Sequence, residues 1–190
     1  MRLFVAIDLD DAARAAIAGE QKRLKSVIGE TRSTLKWVRT DHMHLTLVFL
    51  GEVPEASAGD VVGAIGAPVA QAPFDLALSG IGVFPPRGAP NVLWIGAAAG
   101  VAESVELQRQ IAGRLRPLGI ALESRPFHPH LTLARWKGSR PADRERARAG
   151  ESDRVIATVH VDHATLYQSR LSSAGPTYTA LARATLSPQG

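Results

Sequence analysis

Apolar residues set the rhythm of this chain. Positions 3–9 alternate and are apolar enough for a core strand. From Asp10 or Asp11, either of which can cap, the spacing becomes helical through about Val27. Ala13, Ile17, Leu24 and Val27 form the inner stripe of that helix, and Lys22, Arg23 and Lys25 suit the negative end of its dipole. A short strand is predicted at 36–39, then a strand running to Leu50 and ended by Gly51. Positions 54–69 read as a helix weakened by Gly63 and Gly66. Strands are predicted at 74–78 and 91–95, separated by a loop-rich stretch at 81–88. A second long helix covers 101–118, with Val105, Ile111, Leu115 and Leu118 inward and Gly119 as its stop. Arg125-Pro126-Phe127 leads into another strand that ends at Ala134-Arg135-Trp136. A charged helix or loop follows at 140–148, then strands at 155–161 and 164–168, a turn at 169–176, a last strand at 178–186 and a frayed end at 187–190. This order predicts an α+β fold with helices packed on antiparallel or mixed sheets.

Composition narrows the setting. The length suits one compact domain over 1–190, or two small lobes with interleaved strands and no linker. Cysteine is absent, which removes disulfide and thiolate chemistry. No apolar run approaches the ~20 residues of a membrane span, and the start turns acidic at Asp8, too soon for a signal peptide. A cytoplasmic protein is the expectation; nothing suggests a coiled coil or obligate interface, so a monomer is expected. The formal charge of +4 comes mostly from arginine, which permits a phosphate-bearing partner without demanding one.

One motif occurs twice. His42-Met43-His44-Leu45-Thr46-Leu47 and His128-Pro129-His130-Leu131-Thr132-Leu133 agree at every position but the second. A repeat carrying two histidines is rare by chance, so the segments are read as equivalent parts of a duplicated structure. In a strand, His44 and Thr46 share one face, as do His130 and Thr132, with about 6.5–7 Å of rise between them. The leucines point into a core.

Two such strands related by a pseudo-twofold axis would present two imidazoles to one cleft. That arrangement suits displacement at phosphorus: a neutral histidine takes a proton from the attacking oxygen and a protonated one supplies the leaving oxygen. The threonine hydroxyls of Thr46 and Thr132 can donate to non-bridging phosphate oxygens. Neither a metal nor another cofactor is needed. Read from the residues alone, the two imidazoles are equivalent, and which is the acid stays open.

With these residues in place, the chain resembles the two-histidine phosphoesterase superfamily and, more narrowly, the bacterial and archaeal RNA 2′,3′-cyclic phosphodiesterases, also called 2′-5′ RNA ligases. The resemblance runs through RLFVAIDL, KWVRTDHMHLTLVFLGEV, GVFPPRGAPNVLWIG, RPFHPHLTLAR and SRLSSAGPTYTAL. It implies a bilobal fold of two pseudo-twofold-related lobes, helices outside, with a central cleft. It implies opening of an RNA-terminal 2′,3′-cyclic phosphate by water to a 2′-phosphomonoester, with 2′-5′ ligation as the reverse. It makes His44 the proton donor, His130 the proton acceptor, and Thr46 and Thr132 phosphate ligands. Arg135 has Phe49 at the matching offset in the first copy, and is either a phosphate ligand or a strand-end salt-bridge residue. The expected partners are RNA ends or small cyclic nucleotides.

His42 and His128 lie outside that pattern and are read as rim residues; His160 and His163 are given no role. Phe127, Phe84 and Trp37 could stack on a base, though core packing is the better use for each. Two other functions compete. One is a metal hydrolase built on His42, His44, His128 and His130, although no carboxylate pattern completes a catalytic site. The other is a module that binds RNA ends without turnover.

Overall fold

The computed structural model describes residues 1–29, 33–173 and 175–188. Among the described residues, ten strands form two five-stranded sheets. The strands are β1 (Arg2–Ile7), β2 (Thr34–Trp37), β3 (Leu45–Glu52), β4 (Val69–Ala70), β5 (Phe74–Phe84), β6 (Val92–Ala99), β7 (His130–Lys137), β8 (Val155–Val161), β9 (His163–Ser172) and β10 (Gly175–Ser187). The helices are α1 (Asp11–Ile28), α2 (Glu55–Gly66), α3 (Val101–Leu115) and α4 (Pro141–Arg148). The first sheet has the order β3-β1-β9-β10-β4, the second β2-β7-β6-β5-β8. Pairing is antiparallel except between β10 and β4. The two motif strands occupy matching places, β3 beside β1 and β7 beside β6.

The helices cross over. α1 follows β1 of the first sheet but packs on β8 and α4 of the second. α3 follows β6 of the second sheet but packs on β3 and α2 of the first. Their inner stripes explain the seating: Ile17, Leu24 and Ile28 in α1, and Leu107, Ile111 and Leu115 in α3, are buried. Asp10 caps α1 by accepting a hydrogen bond from the Ala13 N–H. No described helix is long and apolar enough to cross a membrane.

Each motif strand carries one extra residue at the same place. In β3, Thr46 pairs with Ala6 and Val48 with Val5, leaving Leu47 as a β-bulge. In β7, Thr132 pairs with Trp94 and Ala134 with Leu93, leaving Leu133 as the bulge. A bulge shifts the alternation of faces by one residue. Strict alternation would put Arg135 with Leu131 and Leu133 in the core; the bulge turns it to the face of His130 and Thr132. Phe49 is turned to the face of His44 and Thr46 in the same way. The second bulge is tied down by α1: the Leu133 carbonyl accepts from the Val38 N–H at 2.8 Å and from the Gln21 side-chain amide at 3.1 Å, and that amide also donates to the Val38 carbonyl.

Several elements differ from the sequence expectation. The stretch 81–88 is not loop-rich throughout: β5 runs unbroken to Phe84, and Gly80, at φ +73°, is a bulge that lets it continue. The expected turn at 169–176 is a tight hairpin, since β9 runs to Ser172 and β10 starts at Gly175; residue 174 lies outside the described residues. The helix expected at 54–69 stops at Gly66, and Val69–Ala70 joins the first sheet. The segment 140–148 is a helix from Pro141. Val27 and Val105 are exposed, not inward. Of the expected frayed end, Ser187 closes β10, and residues 189–190 lie outside the described residues.

The place that Val27 fails to fill on α1 is taken by polar groups. Glu20 and Gln21 are buried among the aliphatic residues. Glu20 accepts from Arg23 one turn on and, at 2.6 Å, from Arg154 just before β8. The Arg23 hydrogen bond is the main reason its carboxyl is held below the ordinary 4.5, with Arg154 adding to it against the cost of burial. Glu20→Ala is expected to destabilise the fold by about 2 kcal/mol, less than the ~3–5 of a fully buried pair because both arginines reach solvent. A carboxylate with a depressed pKa stabilises above its unfolded value and loses that contribution as pH falls. Urea midpoints should therefore drop on acidification below pH 4.5 in the native chain, and more shallowly in Glu20→Gln. Gln21→Leu, which removes both bonds that clamp the bulge, is expected to cost about 1–2 kcal/mol by the same measurement.

Candidate active site

The concave faces of the two sheets meet at a cleft of about 380 Å³ lined by His44, Thr46, Phe49, His130, Thr132 and Arg135. Arg2, Phe4, His42 and Tyr178 complete the walls of interest here. The two motif strands thus deliver five of the sequence-predicted site residues to one space. Arg135 arrives only because of the Leu133 bulge.

Both imidazoles are fixed in the same way. The Nδ1–H of His44 donates to the His42 carbonyl at 3.0 Å, and the Nδ1–H of His130 donates to the His128 carbonyl at 2.8 Å. A carbonyl can only accept, so Nδ1 carries the proton in each ring and Nε2 is the nitrogen left for chemistry. The residue two before each catalytic candidate therefore contributes its backbone, whatever its side chain does. Rings hold the imidazoles from the side. His44 stacks on Phe4 with centroids 4.6 Å apart and meets Tyr178 edge-on at 5.2 Å. His130 meets Phe84 edge-on at 5.1 Å and lies 6.2 Å from Trp94. Trp94 fits because Gly82 faces it: a Cβ there would come within 2.1 Å of the indole.

These walls set the electrostatics. Burial pushes His44 down to about 4 from 6.5. Burial also lowers His130, and the Arg135 charge beside it acts in the same direction. Burial raises the Tyr178 hydroxyl. The cleft therefore favours neutral imidazoles, with Arg135 reaching it from the second sheet and Arg2 from the first.

The remaining sequence candidates spread out. His42 lies in a 3-10 turn, Thr40–His42, and meets Tyr178 edge-on at the cleft margin. The strand does not reach back to it, so it does not share the His44 face as an extended β3 would have required. His128 is exposed and lines a neighbouring hollow with Phe84 and Arg125. Among the described residues no three His, Cys, Asp or Glu side chains are grouped to hold a metal, so His42, His44, His128 and His130 do not converge as the metal hydrolase required. Of the three aromatic candidates, Phe84 packs on His130, Trp37 lies under Lys25, and Phe127 packs partly buried against the core. Arg2, Phe4, Phe49 and Tyr178 are among the cleft residues that sequence reasoning missed. Only Phe49 had a signal, its offset matching that of Arg135. His163, given no role, bonds to Asp8 beside the first motif.

Comparison with known proteins finds relatives along most of the chain. Residues 10–172 match the 2′-5′ RNA ligase superfamily. An RNA 2′,3′-cyclic phosphodiesterase of Aeropyrum pernix is 35% identical over 87% of this chain and 94% of its own. The protein of the same name from Archaeoglobus fulgidus is 36% identical over 94% and 96%. A crystal structure of a Thermus thermophilus protein superposes with a TM-score of 0.75 at 31% identity, covering all of both chains. The repeated His-x-Thr strands, the cleft they share and the match along most of the sequence lead to one assignment: the chain belongs to the 2′-5′ RNA ligase superfamily.

Proposed function

We propose that this chain hydrolyses RNA-terminal 2′,3′-cyclic phosphate to a 2′-phosphomonoester, with His44 and His130 as the acid–base pair. The observation that carries the reading is the pair of imidazoles on one cleft, each tied back through Nδ1 to a carbonyl two residues earlier, each keeping Nε2 for the substrate. The names borne by the relatives support the substrate class.

In this reading the phosphate sits between the two sheets. His130, beside the Arg135 charge, accepts the proton of a water that attacks phosphorus. The P–O3′ bond breaks on the far side, and protonated His44 gives its proton to O3′. The 2′-phosphate remains, His130 ends protonated and His44 neutral, and exchange with solvent resets them. Thr46 and Thr132 donate to the non-bridging oxygens where negative charge accumulates. Arg135 grips the same oxygens with its planar fork. With an RNA 5′-hydroxyl in place of water, the same ring opening forms a 2′-5′ phosphodiester instead of a phosphomonoester.

The deciding experiment incubates the purified chain with an oligonucleotide ending in 2′,3′-cyclic phosphate and locates the product phosphate. A 2′-phosphomonoester is expected; binding without product, or a 3′-phosphate, would overturn the reading. His44→Ala and His130→Ala should each lower kcat by about 10²–10⁴-fold with the far-ultraviolet dichroism unchanged. Arg135→Ala should act mainly on KM, raising it roughly tenfold, the loss of one charge-assisted grip. The pH dependence follows from the imidazoles. Turnover needs one neutral and one protonated, a pairing most populated between their two pKa values. Both lie below 6.5 in the free protein, so kcat/KM should peak on the acid side of 6.5 and fall above it. Bound phosphate favours protonated imidazole, so the kcat profile should extend to higher pH than that of kcat/KM.

A further inference from the structure

The two halves of the cleft are related by their strands but differ in what stands near each histidine. In the second sheet His130 pairs with Gly96. In the first, Leu45 pairs with Ile7 as the last pair of the ladder, and Asp8 and His44 are the residues just beyond it on each strand. A carboxylate thus stands at the same end of the ladder as His44, and a glycine, with no side chain at all, is paired with His130.

Asp8 is held in place from β9. Its Oδ2 accepts from the hydroxyl of fully buried Thr165 at 2.7 Å and lies 3.3 Å from the His163 Nε2. Its Oδ1 accepts from the Tyr167 hydroxyl at 2.5 Å. Tyr167 in turn stacks on Phe4, the ring under His44. The matching places in the second sheet, beside β6 on β5, hold Gly82 and Phe84, so neither hydroxyl has a counterpart there. The other charged or titratable groups around His44 are Arg14 from α1, whose guanidinium donates to the Thr40 and Met43 carbonyls behind it, His42 from the preceding turn, and Tyr178 from β10. Around His130 they are Arg135 on its own strand and His128 and Glu123 from the preceding loop.

We propose that Asp8 is the positioning residue that breaks the symmetry of the site: its carboxylate, oriented by Thr165 and Tyr167, offsets part of the cost of charging the buried His44 ring and so helps that imidazole hold the proton delivered to the leaving oxygen. The proposal rests on the phosphodiesterase reading and adds the charge that assists its acid. The electrostatics agree in sign. Asp8 draws His44 toward its protonated form while burial, Arg14 and His42 oppose it; at His130, Arg135 and His128 oppose protonation and Glu123 favours it.

The test uses Asp8→Asn, which keeps the shape and an acceptor for the hydroxyls but removes the charge. Two substrates are compared at pH 7: a nucleoside 2′,3′-cyclic phosphate and its analogue with sulfur as the 3′ bridging atom, whose thiolate leaves without a proton. Asp8→Asn should lose about tenfold in kcat/KM on the oxygen substrate and less than twofold on the sulfur one. Equal losses on both would assign Asp8 a purely structural role and overturn the proposal. The second readout needs no turnover. In protein saturated with inorganic phosphate, the imidazole resonances of His44 and His130 are titrated by NMR. Asp8→Asn should lower the His44 midpoint by about one pH unit and leave His130 in place. Tyr167→Phe, which strips a donor from the carboxylate and exposes more of its charge, should move the His44 midpoint upward. Unmoved midpoints, or equal shifts of both histidines, overturn the proposal. A native chain inert to both substrates would sink the phosphodiesterase reading, and the titration would still decide for or against Asp8.

Discussion

The site depends on one extra residue in each motif strand. Without the bulges at Leu47 and Leu133, Phe49 and Arg135 would face away from the histidines that precede them. The bulge in β7 persists because its carbonyl is accepted into a small polar knot, with the Val38 N–H and the Gln21 amide as donors. A bulge leaves a backbone group outside the ladder, and such a group in a core is costly unless something else bonds it. Gln21 is that something. The long helix α1 therefore does more than cover the second sheet. It fixes the register that turns a guanidinium toward the cleft.

The same economy appears at the histidines. Each ring is oriented by a backbone carbonyl, which no side-chain substitution of the accepting residue removes, and by aromatic neighbours that differ between lobes. Phe4 stacks face to face on His44, while Phe84 meets His130 by its edge. Burial among these rings lowers both imidazoles, His44 to about 4. A duplicated scaffold has been given unequal walls: aromatic rings with a carboxylate on one side, an indole with a guanidinium on the other.

Much of this was written in the alternation and the repeated motif. The histidines, threonines and the two long helices follow from periods of 2 and 3.6 and from a motif that returns. The bulges do not, because a one-residue insertion leaves the residue types on either side unchanged and the sequence records no pairing partner. Val27 and Val105 were misplaced for a related reason. Periodicity ranks valine as inward and glutamate as outward, yet Glu20 is buried once Arg23 and Arg154 meet it, and Arg154 is far along the chain. Arg2 and Tyr178 escaped notice because they reach the cleft from β1 and β10, strands with no motif of their own. Gly80 and the hairpin at Ser172 show the limit of turn signals: a glycine with positive φ can bend a strand without ending it.

The crossing of the helices restricts how the cleft can move. β1 lies inside the first sheet while its own helix seals the second, and β6 and α3 do the reverse. Each helix stays with the sheet it covers, so any relative movement of the sheets has to be absorbed in the short links that cross between them, residues 8–10 after β1 and Gly100 after β6 among them.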